Sequence, residues 1–240
     1  MQTILVTGTD TGVGKTWLSS LLVRQFRSHG LSVGAYKPVC SGAEHDESGS
    51  SIWSDVEVLR SACGDSPPID LVCPQRFQAP VAPNVAARLE GRDVDDALLL
   101  NGVEPWRSRA EWLVVEGAGG IFCPLSNQST VMDLATGLQA PVIVVAANRL
   151  GVISHTRLTV EAIQTRGLSV AAVVLNDTGP TSSQSDDSSL PTNAEQLLHW
   201  LPNVSLLHCR WRAASLSSAR RISGQHDELL SLLSPAELQK

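Results

Sequence analysis

The segment Gly8-Thr9-Asp10-Thr11-Gly12-Val13-Gly14-Lys15-Thr16 lies between an apolar run, Ile4-Leu5-Val6, and a stretch where Trp17, Leu18, Leu21, Leu22 and Phe26 recur at helical spacing. A buried strand that turns through glycines straight into an amphipathic helix leaves few folds open. The glycines let successive backbone N–H groups curl around an anion, and the helix N-terminus adds partial positive charge. Gly12, Val13 and Gly14 then cradle phosphate, Lys15 reaches the β- and γ-phosphates of a nucleoside triphosphate, and the Thr16 hydroxyl ligates Mg2+. One departure from the usual phosphate loop stands out: five residues, not four, separate Gly8 from Gly14.

Further along, apolar runs over 33–36, 112–115, 141–147, 170–175 and 204–207 read as strands. Helical spacing predicts helices over 54–62, 85–89, 154–166, 193–201 and 225–233, with helical turns in 94–109 and a short strand near Leu71. Several strands are apolar throughout, which suits a parallel sheet covered on both faces. The expectation is an α/β fold of the P-loop NTPase kind, a mostly parallel sheet with helices on both faces, in a single domain over 1–240. Residues 41–53 and 177–192, rich in Ser, Gly, Thr and Asp without periodicity, are expected to be mobile.

Charge and cysteine usage exclude several functions. The formal net charge is −6, a poor basis for binding nucleic acid. The short basic cluster Arg210, Arg212, Arg220 and Arg221 reads as solvated surface. The five cysteines include no CxxC pair, which argues against a zinc site or a disulfide framework. No leader pattern and no apolar run long enough for a bilayer is present, so no membrane partner is expected and the cytoplasm is the expected location.

In open α/β sheets ligands gather at the carboxyl ends of the strands. Glu116 ends the run Trp112-Leu113-Val114-Val115 and is placed to hold Mg2+ or its water; Gly117-Ala118-Gly119 after it allow close backbone approach to ATP. Lys37 ends the second strand over the same edge as Lys15, and two lysines at one triphosphate suit charge stabilisation in phosphoryl transfer. Ser41 follows in a turn where its hydroxyl can meet a polar substrate. Asp55 opens a helix and is either a second Mg2+ ligand or, with Ser54, a helix cap. Asn176-Asp177 ends a strand where an amide can read an adenine edge.

Taken together, the stretches Val6 to Thr11 with Val13-Gly14-Lys15-Thr16, Gly34 to Val39 with Ser41-Gly42, Ser54-Asp55, Val114 to Gly120 with Pro124-Leu125, Leu150-Gly151 with Ile153-Ser154-His155, and Asn176-Asp177 resemble the dethiobiotin synthetase family, in family order. The longer phosphate loop is a feature of that family. The resemblance implies an ATP- and Mg2+-dependent ligase that carboxylates 7,8-diaminopelargonic acid with CO2 and closes the ring. It implies Lys37 and Lys15 as catalytic residues and Thr16, Asp55 and Glu116 at Mg2+. It places Thr11 and Ser41 against the diamine, Asn176 and Asp177 at the nucleotide, and the whole in a homodimer. Two positions depart from the family: Gly12 stands where Glu is frequent, and His208-Cys209-Arg210-Trp211 replaces a Gly-x-Ile/Val-Pro segment. A switch-type ATPase of the same fold would carry a signature lysine where this chain has Asp10. An amide-forming synthetase of a related kind would need a further glutamine-cleaving domain.

Overall fold

The computed structural model describes residues 1–180, 187–221, 226 and 229–231. The strand β1 (Gln2–Gly8) leads through the phosphate loop into α1 (Lys15–Ser28), then β2 (Val33–Tyr36) and β3 (Val39–Ser41). A small hairpin of β4 (Glu44–His45) and β5 (Ser51–Ile52) precedes α2 (Ser54–Ala62), α3 (Ile69–Val72), β6 (Gln75–Phe77), α4 (Pro83–Leu89) and α5 (Asp96–Asn101). There follow β7 (Trp112–Gly120), α6 (Val131–Leu138), β8 (Val142–Ala147), α7 (Val152–Thr165), β9 (Val170–Asn176), α8 (Leu190–Trp200), β10 (Leu206–Cys209) and β11 (Ser217–Arg220).

Seven strands form the main sheet in the order β11-β10-β9-β8-β1-β7-β2; β11 alone runs antiparallel, to β10. The inner strands are buried on both sides: every residue of β8 is buried, as are Ile4, Leu5 and Val6 in β1. This is why their sequences are apolar runs and not alternations. From β1 the chain steps outward to β2 through α1; from β7 it steps the other way across β1 to β8 through α6. Right-handed crossovers in opposite directions put these helices on opposite faces, and α1 and α6 both pack on β1 and β7. The reversal occurs at β1, so the crevice above its carboxyl end is the topological switch point where ligands bind.

The mostly parallel, two-faced α/β architecture agrees with the sequence reading, and α2 and β2 fall on their expected bounds. Four local expectations are corrected. The strand near Leu71 is the helical turn α3, and the strand comes later as β6, paired in parallel with β3. The 41–53 segment carries the hairpin β4–β5. Within 177–192, Asp187 accepts from the Leu150 N–H and α8 already starts at Leu190; 181–186 lie outside the described residues. The arginine cluster is not simply solvated: Arg220 donates to the carbonyls of Leu198, Leu201 and Val204, satisfying the exposed end of α8, and Arg221 donates to that of Leu230. The expected helix over 225–233 falls mostly outside the described residues, of which 229–231 are helical. No helix among the described residues is long and apolar enough to cross a membrane.

Candidate active site

The register of β1 against β7 assembles the site. Val6 pairs with Glu116 and Gly8 with Gly120, so the acidic strand end stands beside the root of the phosphate loop. Gly14, the residue before α1, has φ 94° and lies directly against the Asn176 amide. A side chain there would meet both a disfavoured backbone angle and Asn176. Gly12 also has a positive φ of 73° but faces open space. Glycine at 12 thus answers to the backbone and not to crowding.

Lys37 is the centre of the charge arrangement. It is 4% exposed, and its Nζ donates to Glu116 Oε1 at 2.6 Å and to Asp55 Oδ2 at 2.7 Å. The Thr16 hydroxyl donates to the same Glu116 oxygen at 2.8 Å, with Asp55 close by. Burial alone would lower the Lys37 pKa, but Glu116 and Asp55 outweigh it and hold the ammonium well above its ordinary value. Burial likewise opposes the charge on Asp55, yet Lys37 draws that carboxyl below its usual range. Lys15 goes the other way: burial pushes its pKa down, Glu116 works against this, and the Lys37 charge adds to the lowering. Its Nζ donates to the Asp10 carbonyl at 3.1 Å. A buried cation held by a single neutral acceptor gains much from an incoming polyphosphate.

Glu116 is wholly buried, and its second oxygen, Oε2, has no hydrogen-bond partner among the described residues. A buried carboxylate oxygen left bare invites a cation. Two carboxylates and a hydroxyl converge here, and no group of three or more His, Cys, Asp or Glu able to hold an ion exists among the described residues. Mg2+ commonly takes one or two carboxylates and completes its shell from phosphates and water, so the donor set fits it.

Lys15, Thr16, Lys37 and Asp55 line a cleft of about 580 Å³ that also carries Thr11, Ser41 and Trp17, with an apolar wall from 80–83. Cys40 and Cys123 line it too, but burial pushes the Cys40 thiol up to about 11 and raises that of Cys123, so neither is a ready thiolate nucleophile.

The chain matches the AAA domain family over residues 2–209. It is 44% identical over 229 residues to the ATP-dependent dethiobiotin synthetase BioD of Anaeromyxobacter dehalogenans strain 2CP-1, covering 91% of this chain and 96% of that protein. The protein of the same name from Phenylobacterium zucineum strain HLK1 is 42% identical over 200 residues, 81% of each chain. The chain belongs to the ATP-dependent dethiobiotin synthetase family. Solved structures overlap more loosely: the signal recognition particle 54 kDa protein of Aeropyrum pernix K1 in complex with GDP aligns over 90% of this chain and 43% of its own length, at a TM-score of 0.49 and 13% identity.

The sequence-predicted residues of this dethiobiotin synthetase family member divide into two groups. Lys15, Thr16, Lys37, Asp55 and Glu116 come together as expected. Of the two alternatives left open at Asp55, the helix cap falls away, since α2 has Trp53 as N-cap with no side-chain cap bond and Asp55 turns to Lys37. Ser41 lines the cleft, but its hydroxyl donates to the Val81 carbonyl at 2.6 Å, leaving its oxygen as an acceptor. Asn176 does not stand free: it is 5% exposed and its Nδ2 donates to the Val13 carbonyl at 2.8 Å, bracing the phosphate loop. Asp177 accepts from Asn148 Nδ2 at 2.9 Å and pairs with His208 at 3.1 Å. Sequence reasoning missed the apolar wall at 80–83, whose Pro-rich sequence reads only as loop. It also grouped Trp17 with the apolar residues at helical spacing in α1, whereas the residue is 41% exposed and lines the cleft.

Proposed function

We propose that this chain uses ATP and Mg2+ to carboxylate 7,8-diaminopelargonic acid with CO2 and close it to dethiobiotin; ATP and the product are what the names of its relatives carry. The observation that carries the reading is the Lys37 ammonium held between Glu116 and Asp55 beside Lys15 at the phosphate loop. A site that only held nucleotide would need one such cation, while two suit charge developing on a phosphoryl group in transfer.

In the sequence of events, one amine of the diamine adds to CO2 as a carbamate. Ser41, with its oxygen free to accept, orients an amine N–H, and Thr11 lines the same cleft. A carbamate oxygen attacks the γ-phosphorus of ATP in line, and ADP leaves. Lys15 gives up the Asp10 carbonyl for the β- and γ-phosphate oxygens, while Lys37 stabilises the carbamate and the transferring phosphoryl charge. The second amine then attacks the carbamoyl carbon of the resulting carbamic–phosphoric anhydride, expelling phosphate and closing the ureido ring. Thr16, Asp55 and Glu116 would hold Mg2+, which neutralises phosphate charge. Backbone N–H groups of 12–14 and the Gly117-Ala118-Gly119 turn receive the nucleotide, with Asn176 and Asp177 at its base end.

We also keep a homodimer in the cytoplasm as the working state, with the diamine site near the subunit boundary. Leu150 and Leu158, exposed at the start of α7 and on its outer face, give that boundary apolar surface. The test is phosphate release from Mg-ATP and bicarbonate, with and without the diamine, with the product followed by mass. Diamine-dependent release with a product of dethiobiotin mass is expected. Hydrolysis indifferent to the diamine, without product, would sink the reading.

A further inference from the structure

The triphosphate has a fixed direction in this cleft. Its γ end must face Lys37, Glu116 and Asp55, so the nucleoside leaves the loop at the opposite end, where β9 and β10 finish. At that end β10 closes on His208 and Cys209 and is followed by Arg210 and Trp211.

Trp17 stands at that exit. It lies two residues after Lys15 on the first turn of α1, with its side chain close to the Cys209 thiol. Cys209 pairs in register with Asn176, and Asn176 braces the Val13 carbonyl of the loop. The ring thereby lies beside the strand ends that bound the nucleoside exit, while the residue lines the cleft and stays 41% exposed.

The other tryptophans are committed elsewhere. Trp106 and Trp112 are buried, and Trp53, Trp200 and Trp211 each carry an arginine over the ring, Arg76, Arg157 and Arg212. Trp17 has no aromatic or cationic ring partner among the described residues. A flat, exposed face beside the end of a triphosphate site suits the face of a purine.

We propose that Trp17 is the stacking platform for the base of the bound nucleotide. The inference rests on the reading of the loop as an ATP site, but not on the diamine being the second substrate.

The test is an equilibrium titration of the whole chain with Mg-ATP, comparing wild type with Trp17→Ala, Trp17→Phe and Trp17→Leu, each checked for an unchanged thermal transition. Trp17→Ala should weaken ATP binding roughly ten-fold, the usual scale for loss of a base–aromatic stack. Phe should recover most of the loss and Leu little of it, since only Phe restores a π-face. Equal recovery by Phe and Leu would show a packing role and overturn the proposal, as would unchanged affinity in Trp17→Ala. Wild-type chain that binds ATP yet makes no dethiobiotin would defeat the proposed function and leave this inference standing. Wild type that binds no ATP would defeat both.

Discussion

The two ends of the phosphate loop are built on opposite principles. At the transfer end, charges are buried and locked: Lys37 bridges Glu116 and Asp55, and Thr16 shares the Glu116 oxygen. At the base end the contacts are mostly those of amides: Asn176 to Val13, Asn193 to Asn148, and Asn148 to the Asp177 carboxylate. Buried charge fixes geometry to within the tolerance of a reaction, because any departure leaves a charge unpaired in low dielectric. Amide and aromatic contacts hold a ligand with less penalty for error. The difference fits a protein whose chemistry happens at one end of ATP and whose recognition happens at the other.

The largest expected effect comes from breaking the charged end. Lys37→Met should lower turnover about a hundred- to a thousand-fold, the scale for losing one donor to developing charge, while ATP still binds. It should also destabilise the fold by about 3 kcal/mol, because Glu116 keeps its burial and loses its cation. Loss of ATP binding in place of turnover, measured by titration beside single-turnover phosphate release, would make Lys37 a nucleotide anchor and erase the contrast between the ends.

The same pairing predicts a broad pH plateau. The Asp55 carboxyl is drawn below its usual range in the folded chain, so its share of stability is present above the unfolded carboxyl value and fades as pH falls through the folded one. The Lys37 value is raised, so its share is complete below the unfolded amine value and fades only as pH climbs through the folded one. Stability resting on the pair should stay flat from about pH 5 to about pH 10. Its acid shoulder should vanish in Asp55→Asn, with only a small loss at neutral pH, since that side chain is 48% exposed. Thermal unfolding across pH reads this directly; an undiminished acid shoulder in the variant would detach Asp55 from the lock.

Glu116→Gln sharpens the comparison at a second level. The amide keeps the shape but supplies no charge to the bare buried position at Oε2. The Mg2+ concentration for half-maximal phosphate release should rise about ten-fold or more. An unchanged Mg2+ titration would remove Glu116 from the metal set and leave it as the partner of Lys37 alone.

The contrast between the ends also explains what the sequence disclosed. Lys37 and Glu116 are charged residues terminating apolar runs, and in a parallel sheet such positions converge on one edge, so they could be found without coordinates. The glycines and Lys15-Thr16 carry their own mechanism. Asn176 was found as a position but not in its bracing role, since a strand-end amide gives no sign of which backbone carbonyl it will reach. Trp17 was hidden by its own periodicity: it falls at helical spacing with Leu18 and Leu21, and only the fold shows that its side of α1 opens into the cleft. The helix α6 escaped for a related reason. It is short and carries Gly137, and its start is marked by Thr130 and Asp133, a capping box with Asp in the place Glu or Gln usually takes. The edge strand β11, Ser217-Ser218-Ala219-Arg220, has no apolar alternation to betray it and exists through pairing with β10.

The smallest expected effect is at the base end, away from any ligand contact. Asn193 on α8 is 2% exposed; its Nδ2 donates to Asn148 Oδ1 at 2.9 Å, and Asn148 in turn donates to Asp177. The chain of amides thus ties α8 to the ends of β8 and β9. Asn193→Ala leaves the Asn148 oxygen without this donor, which should cost about 1 to 2 kcal/mol of stability and lower the unfolding midpoint by a few degrees, about 2–4 °C per kcal/mol for a chain of this size. Because the amides only frame the base end, ATP affinity should fall by a few-fold, far less than the loss of turnover in Lys37→Met. Calorimetry and an ATP titration on the same preparation separate the two quantities. A variant with intact ATP affinity but turnover as low as that of Lys37→Met would mean that the amide chain positions the transferring phosphate, and the division of labour between the two ends would fail.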